Sequence, residues 1–156
     1  MTEQSETNQE MPVFRMQKMY IKDLSFENPN APQIFLARNQ EPKVDFNLQL
    51  NSRKIDDEHW EVSLAITAKV MDKNADDTVM FIVEIDHAGI FMMKNIPEEH
   101  FAKVLAVDCP LMLFPFTRQV VSQVSVDGGF LPFLMEPINF IALYENAQKQ
   151  NKESQQ

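Results

Sequence analysis

Three histidines, one cysteine and two aspartate pairs are the residues in this chain whose types could do chemistry. His59, His87 and His100 have no mate one helical turn away, and "EEH" at 98–100 is not the helical two-histidine zinc motif. His59 and His87 fall at or near expected turns or strand ends, where solvent would satisfy them. Cys109 has no histidine that spacing places beside it, so a small buried hydrophobe is the expected role. Asp56-Asp57 and Asp76-Asp77 stand in expected hairpin turns, where aspartate serves the backbone. With three glycines in all, no phosphate-cradling loop can be drawn. These residues predict no catalytic centre, no metal ligand set and no cofactor.

A second kind of spacing points to binding. In "VMFIVEIDHAGIF" (79–91), strand alternation puts Val79, Phe81, Val83 and Ile85 on one face and Met80, Ile82, Glu84 and Asp86 on the other. The second face mixes hydrocarbon with carboxylates, which neither a solvated nor a buried face requires. Asp23 and Glu27 lie four apart in "VFRMQKMYIKDLSFE" (13–27), so they also share a strand face. Carboxylates that steer and an aliphatic centre that desolvates describe a docking surface for a basic partner.

The elements that must carry these residues follow from the period of the pattern. In 13–27, Phe14, Met16, Tyr20, Leu24 and Phe26 share one parity, interrupted by Lys18 and Lys22. "NPNAPQIFLARNQEP" is a proline-punctuated loop. "VDFNLQL" (44–50) and "WEVSLAITAKV" (60–70) alternate cleanly, and short turns join them to 79–91, predicting an antiparallel meander. A helix starts at Pro97 with two acids behind it, and Asp108-Cys109-Pro110 is expected to interrupt it. A second helix from about Leu113 carries Pro115 in its first turn and the stripe Leu113, Phe116, Val120 and Val124, until Gly128-Gly129. "FLPFLMEPI" reads as an apolar loop. Asn139 caps a last helix with the stripe Phe140, Leu143, Tyr144 and Ala147. The expected fold class is α+β, a four-stranded antiparallel sheet followed by helices packed on one side.

Length and charge narrow the partners. The 156 residues fit one domain, expected over 13–147 between flexible tails at 1–12 and 148–156. A formal charge of −9 repels phosphate backbones, which argues against nucleic acid. No run approaching a membrane-spanning length of apolar residues is expected, and "MTEQSETNQEMP" lacks the basic start and apolar stretch of a signal peptide. With one cysteine, the cytosol is the expected compartment. Twelve Phe and ten Met supply a rigid and an adaptable apolar surface, of the kind that holds many apolar partners.

In this order of elements, "YIKDLSFENPNAP" (20–32), "EVSLAITA" (61–68), "FIVEIDHAGIF" (81–91), "CPLMLFPFTRQ" (109–119) and "EPINFIALY" (136–144) resemble the SecB family of bacterial protein-export chaperones. The resemblance spans roughly Phe14 to Gln148. It implies a homotetramer built as a dimer of dimers, with no catalysis and no nucleotide. It implies that unfolded precursor proteins lie in apolar grooves, kept competent for export without ATP, and pass to SecA, the motor of the translocase. Asp23, Glu27, Ile82 and Glu84 match the family's SecA-docking positions, the partner surface being a basic, zinc-bearing tail of SecA. The groove would draw on Phe35, Val44, Phe46, Leu48, Phe114, Phe133, Met135 and Phe140. Val121 and Val124 are offered as a second contact between copies. Gln40 stands where many members carry a loop tryptophan, and Ala88-Gly89 replaces the usual Gly-Gly. Two other readings remain open from sequence: a SecB-like chaperone for other clients, such as a toxin–antitoxin system, and a small ligand-binding α+β protein.

Overall fold

The computed structural model describes residues 10–154. Four long strands, β1 (Val13–Glu27), β2 (Pro42–Lys54), β3 (His59–Asp72) and β4 (Thr78–Lys94), form one antiparallel sheet in the order β1-β4-β3-β2. The expected meander is β2-β3-β4, and β1 returns to the free side of β4. The connection from β1 to β2 therefore spans the width of the sheet. Gln40 closes that loop, donating from Nε2 to the Ile34 carbonyl at 2.7 Å.

β2 pairs with β3 in unbroken register from Pro42↔Asp72 to Lys54↔Trp60, so its alternation reads without error. β1 and β4 do not. Register shifts at Gln17 and Lys22 each insert a residue into β1 and change which parity faces the core. Phe14 and Met16 pair with the inward Met93 and Phe91, then Met19 and Ile21 with Gly89 and His87, then Leu24 and Phe26 with Ile85 and Val83. Tyr20, expected on the apolar face, lies opposite Ala88 on the outer face instead. A third shift, at Val70/Met71, leaves Met80 unpaired. Met80 joins the core at 7% exposure rather than the outer face on which simple alternation puts it.

The helices cover one face of the sheet. Asp108-Cys109-Pro110 does not interrupt the first helix. α1 (Glu98–Lys103) passes through a widened π turn, Val104–Asp108, directly into α2 (Cys109–Asp127). In that turn the Cys109 N–H donates to the Val104 carbonyl, and the wider turn absorbs the proline that follows. Pro115 sits in mid-helix rather than in a first turn. The burial of Leu113, Phe114, Thr117, Val121 and Ser125 holds the helix together across both prolines. The buried stripe is thus Leu113, Thr117, Val121 and Ser125, one turn apart, while Phe116 is exposed. Val121 has no exposed surface and is core rather than a contact face, while Val124 packs against the same core and keeps part of its surface open. The run Glu98–Asp127 is long and apolar enough to cross a membrane by length and composition, contrary to the sequence expectation, and here it packs on the sheet.

Gly128 and Gly129 stop α2 in a Schellman arrangement. The Phe130 N–H donates to Ser125 and the Gly129 N–H to Val126, with Gly129 at φ +96°. Residues 131–139 are irregular. Asn139 caps α3 (Phe140–Glu153), its Oδ1 accepting from the Ala142 N–H at 3.0 Å. α3 continues past 148, through part of the expected C-terminal tail. The expected tail at 1–12 lies outside the described residues up to residue 9.

Candidate functional site

The inner face of β2 is incompletely covered. Val44, Phe46, Leu48 and Leu50 lie opposite Val70, Ala68, Ile66 and Leu64, the fully buried row of β3. Parity therefore directs them to the core, yet Val44 remains 41% and Phe46 43% exposed. β2 is an edge strand, and the helices do not reach over this end of it. Across from Val44 and Phe46 stands the irregular segment Phe133–Ile138, and between them lies a groove of about 480 Å³. Farther along β2, Leu48 and Leu50 face Phe140, Leu143, Tyr144 and Ala147 of α3 over a second depression of about 230 Å³.

Each expected groove residue has a definite place. Val44, Phe46, Phe133 and Met135 line the first groove, with Met135 almost fully buried as its floor. Leu48 and Phe140 line the second. Phe114 is a core residue: it is buried and meets Phe140 edge-on, ring centroids 6.0 Å apart. Phe35 is 46% exposed and reaches the groove through a row of rings. Its centroid is 5.1 Å from Phe130, which is 4.8 Å from Phe81, which is 5.9 Å from Phe133. Gly129 makes room for Phe35, since a Cβ there would come within 2.9 Å of its ring. Sequence reasoning did not single out Phe130, Leu134, Ile138 or Leu50. The first three belong to the apolar loop and its flanks, and only a fold shows which of their side chains face β2.

The outer face of the sheet brings the four expected acidic-patch positions together. Glu27 lies opposite Ile82, which lies opposite Lys69. One step along, Ser25 faces Glu84, and Asp23 faces Asp86 in the following row. Because the β1 bulges precede Asp23, Asp23 and Glu27 keep the same parity. Ile82 is half-buried while Asp23, Glu27 and Glu84 are exposed. Asp23, Glu84 and Asp86, with Asn47, Gln49 and Thr67, edge a depression of about 230 Å³.

The same face changes character toward the other end. Glu61, nearly buried, accepts hydrogen bonds from the Tyr20 hydroxyl and from Lys22 Nζ at 3.0 Å, with Arg53 Nη2 at 3.6 Å. The Tyr20 hydrogen bond, then the Lys22 and Arg53 charges, hold the Glu61 carboxyl below its ordinary range against the opposing effect of burial. Burial first, and then the Glu61 bond and charge, push the Tyr20 phenol up to about 12. This network reaches from β1 over β4 to Glu61 on β3 and Arg53 on β2, and borders the acidic patch.

The titratable residues expected at turns are not all there. His87 is 2% exposed, on the core face of β4, rather than solvated. Cys109 is fully buried beside Val62 and Phe91, and burial with the Asp108 charge raises its thiol pKa, so it carries no thiolate at neutral pH. Among the described residues no group of three or more His, Cys, Asp or Glu could hold a metal ion.

Residues 7–151 match the family model described as preprotein translocase subunit SecB. The protein-export protein SecB of Desulfotalea psychrophila is 63% identical over 98% of this chain and 97% of its own length. That of Magnetococcus marinus is 48% identical over 94% and 91%. Among solved structures, the Mycobacterium tuberculosis SecB-like chaperone in complex with a peptide from an antitoxin superposes with a TM-score of 0.67. It shares 13% identity over 81% of this chain and 91% of that one, a likeness of fold alone.

Proposed function

This chain belongs to the SecB family of protein-export chaperones, and we propose that it holds unfolded precursor proteins along β2 and hands them to SecA at the outer face of the sheet. The observation that carries this reading is the exposure of Val44 and Phe46 on a face whose every neighbour in β3 is buried. Apolar side chains of core parity, left open opposite a loop wall, offer surface to another chain's apolar side chains. Burying such surface is worth about 25 cal/mol per Å² before the cost of ordering the client is subtracted. Each contact is weak, but several on one long chain combine through effective concentration. A folded protein has already buried the side chains this groove takes, so only unfolded chains engage enough of it. The work is binding and asks for no ATP and no catalytic group.

The outer face supplies the hand-over. Its carboxylates attract a basic segment such as the zinc-bearing tail of SecA, and Ile82 gives that segment something apolar to cover. The zinc belongs to the partner. Assembly as a dimer of dimers is supported by apolar side chains left open on the helical side, Leu111, Met112 and Phe116, and by Ile21 and Leu24 on the other edge strand. We place the protein in the cytoplasm, where precursors are made. The relative at 63% identity favours export clients over an antitoxin partner. The test is to dilute a slow-folding precursor from denaturant with and without the protein and no nucleotide. Refolding should slow at low micromolar protein, and equal affinity for the folded and unfolded precursor would defeat the mechanism.

A further inference from the structure

We infer that Ser125, remote from the groove surface and buried on the helix behind it, is a positioning residue for client binding, an inference that rests on the groove reading above. The wall that faces Val44 and Phe46 is irregular, with Pro137 inside it and Pro132 just before it, so it has no ladder or helix to fix it. Among the described residues, the two polar side-chain contacts that reach the stretch 131–138 meet at one atom, Ser125 Oγ. The Phe133 N–H donates to it at 2.8 Å, and the Leu131 carbonyl lies 3.5 Å away. A hydroxyl has one proton, and the Ser122 carbonyl at 2.7 Å takes it. Ser125 Oγ is therefore oriented by its own helix and presents its lone pairs to Phe133.

Ser125 has no exposed surface and lies in the buried stripe of α2. Its backbone carbonyl also accepts the Phe130 N–H that closes the helix end. One residue thus sets both where the chain leaves α2 and where, three residues later, Phe133 is pinned. Phe133 in turn packs edge-on against Phe81, and Met135 beyond it forms the groove floor. Without the hydroxyl, the Phe133 N–H loses its partner and the wall loses its fixed spacing from β2. A client would then have to order the wall itself as it binds.

The test compares the wild type with Ser125→Ala and Phe46→Asp, using a reduced, carboxymethylated and hence permanently unfolded model protein as client. Ser125→Ala should weaken client affinity about five-fold, the scale of one hydrogen bond. It should speed amide exchange at Phe133 about ten-fold or more, while exchange at Leu64 and Val83 in the sheet stays as it was. Unchanged Phe133 exchange and unchanged affinity in Ser125→Ala, with binding lost in Phe46→Asp, would overturn the role of Ser125. If Phe46→Asp binds normally while Phe133 exchange still responds to Ser125→Ala, the groove is not the client site. The inference then falls with the reading it rests on.

Discussion

His87 and Thr117 join the sheet to its covering helix inside the core: His87 Nδ1 lies 2.7 Å from Thr117 Oγ1, with both residues out of solvent. His87 thus joins a buried chain that runs through the Thr117 hydroxyl to the Leu113 carbonyl, 3.2 Å beyond it. Burial holds its pKa below the usual histidine value. The unfolded chain then takes up a proton near pH 6.5 that the folded chain still refuses. The stability from the neutral form is complete above that pH and is lost as pH falls toward the depressed folded value. Urea unfolding followed by Trp60 fluorescence should give lower midpoints on acidification below pH 6.5. His87→Gln should flatten that part of the profile, and an equal decline in both proteins would assign the effect elsewhere.

Glu84→Lys should weaken SecA docking by about ten-fold or more, the scale of a reversed charge at an interface. Glu84 is exposed on the outer face of the sheet, opposite the face that carries the groove, so client affinity should hold. Added salt should weaken docking of the wild type, since exposed charges are screened within about 8 to 10 Å at ordinary ionic strength. Titration of SecA at low and high salt checks both. An unaltered affinity in the variant at low salt would leave the acidic face without this role.

Phe46 and Phe140 separate the groove from the core. Phe46→Ala removes a ring that is 43% exposed and should shift stability by only about 1 kcal/mol while reducing client affinity. Phe140→Ala empties a site with 2% exposure, packed on Phe114, and should cost about 3 to 5 kcal/mol. Paired denaturation and binding curves decide this. Equal loss of stability in the two variants would mean that Phe46 is core.

Tyr20 should resist ionisation until about pH 12. In a Tyr144→Phe background it is the one tyrosine left, because the chain has two. Its absorbance titration should move to lower pH in Glu61→Gln, which removes the charge that opposes the phenolate and keeps the side-chain shape. A titration that did not move would make burial alone responsible.

Much of this protein was legible in its residues because period and punctuation are local. Unbroken alternation in 44–50 and 60–70 marked β2 and β3, and Asn139 and Gly128-Gly129 marked helix ends, since each depends on neighbours a few positions away. Asp23, Glu27, Ile82 and Glu84 could be put on one face by parity within their strands, and the register of β1 on β4 made them neighbours.

Tertiary structure decided what local pattern leaves open. The bulges at Gln17 and Lys22 and beside Met80 reversed the parity of Tyr20, Met19 and Met80, because an inserted residue is accommodated by the partner strand rather than by its own sequence. Pro110 and Pro115 stayed helical because burial of the Leu113–Ser125 stripe outweighs the lost hydrogen bonds, a balance set by the sheet beneath. His87 is polar by type and buried by position, satisfied by a threonine thirty residues away. Among the expected groove residues, Val44 and Phe46 are open while Phe114 is closed. All three are apolar at regular spacing, and only the reach of the helices over the sheet settles which of them meets solvent, and so which can meet a client.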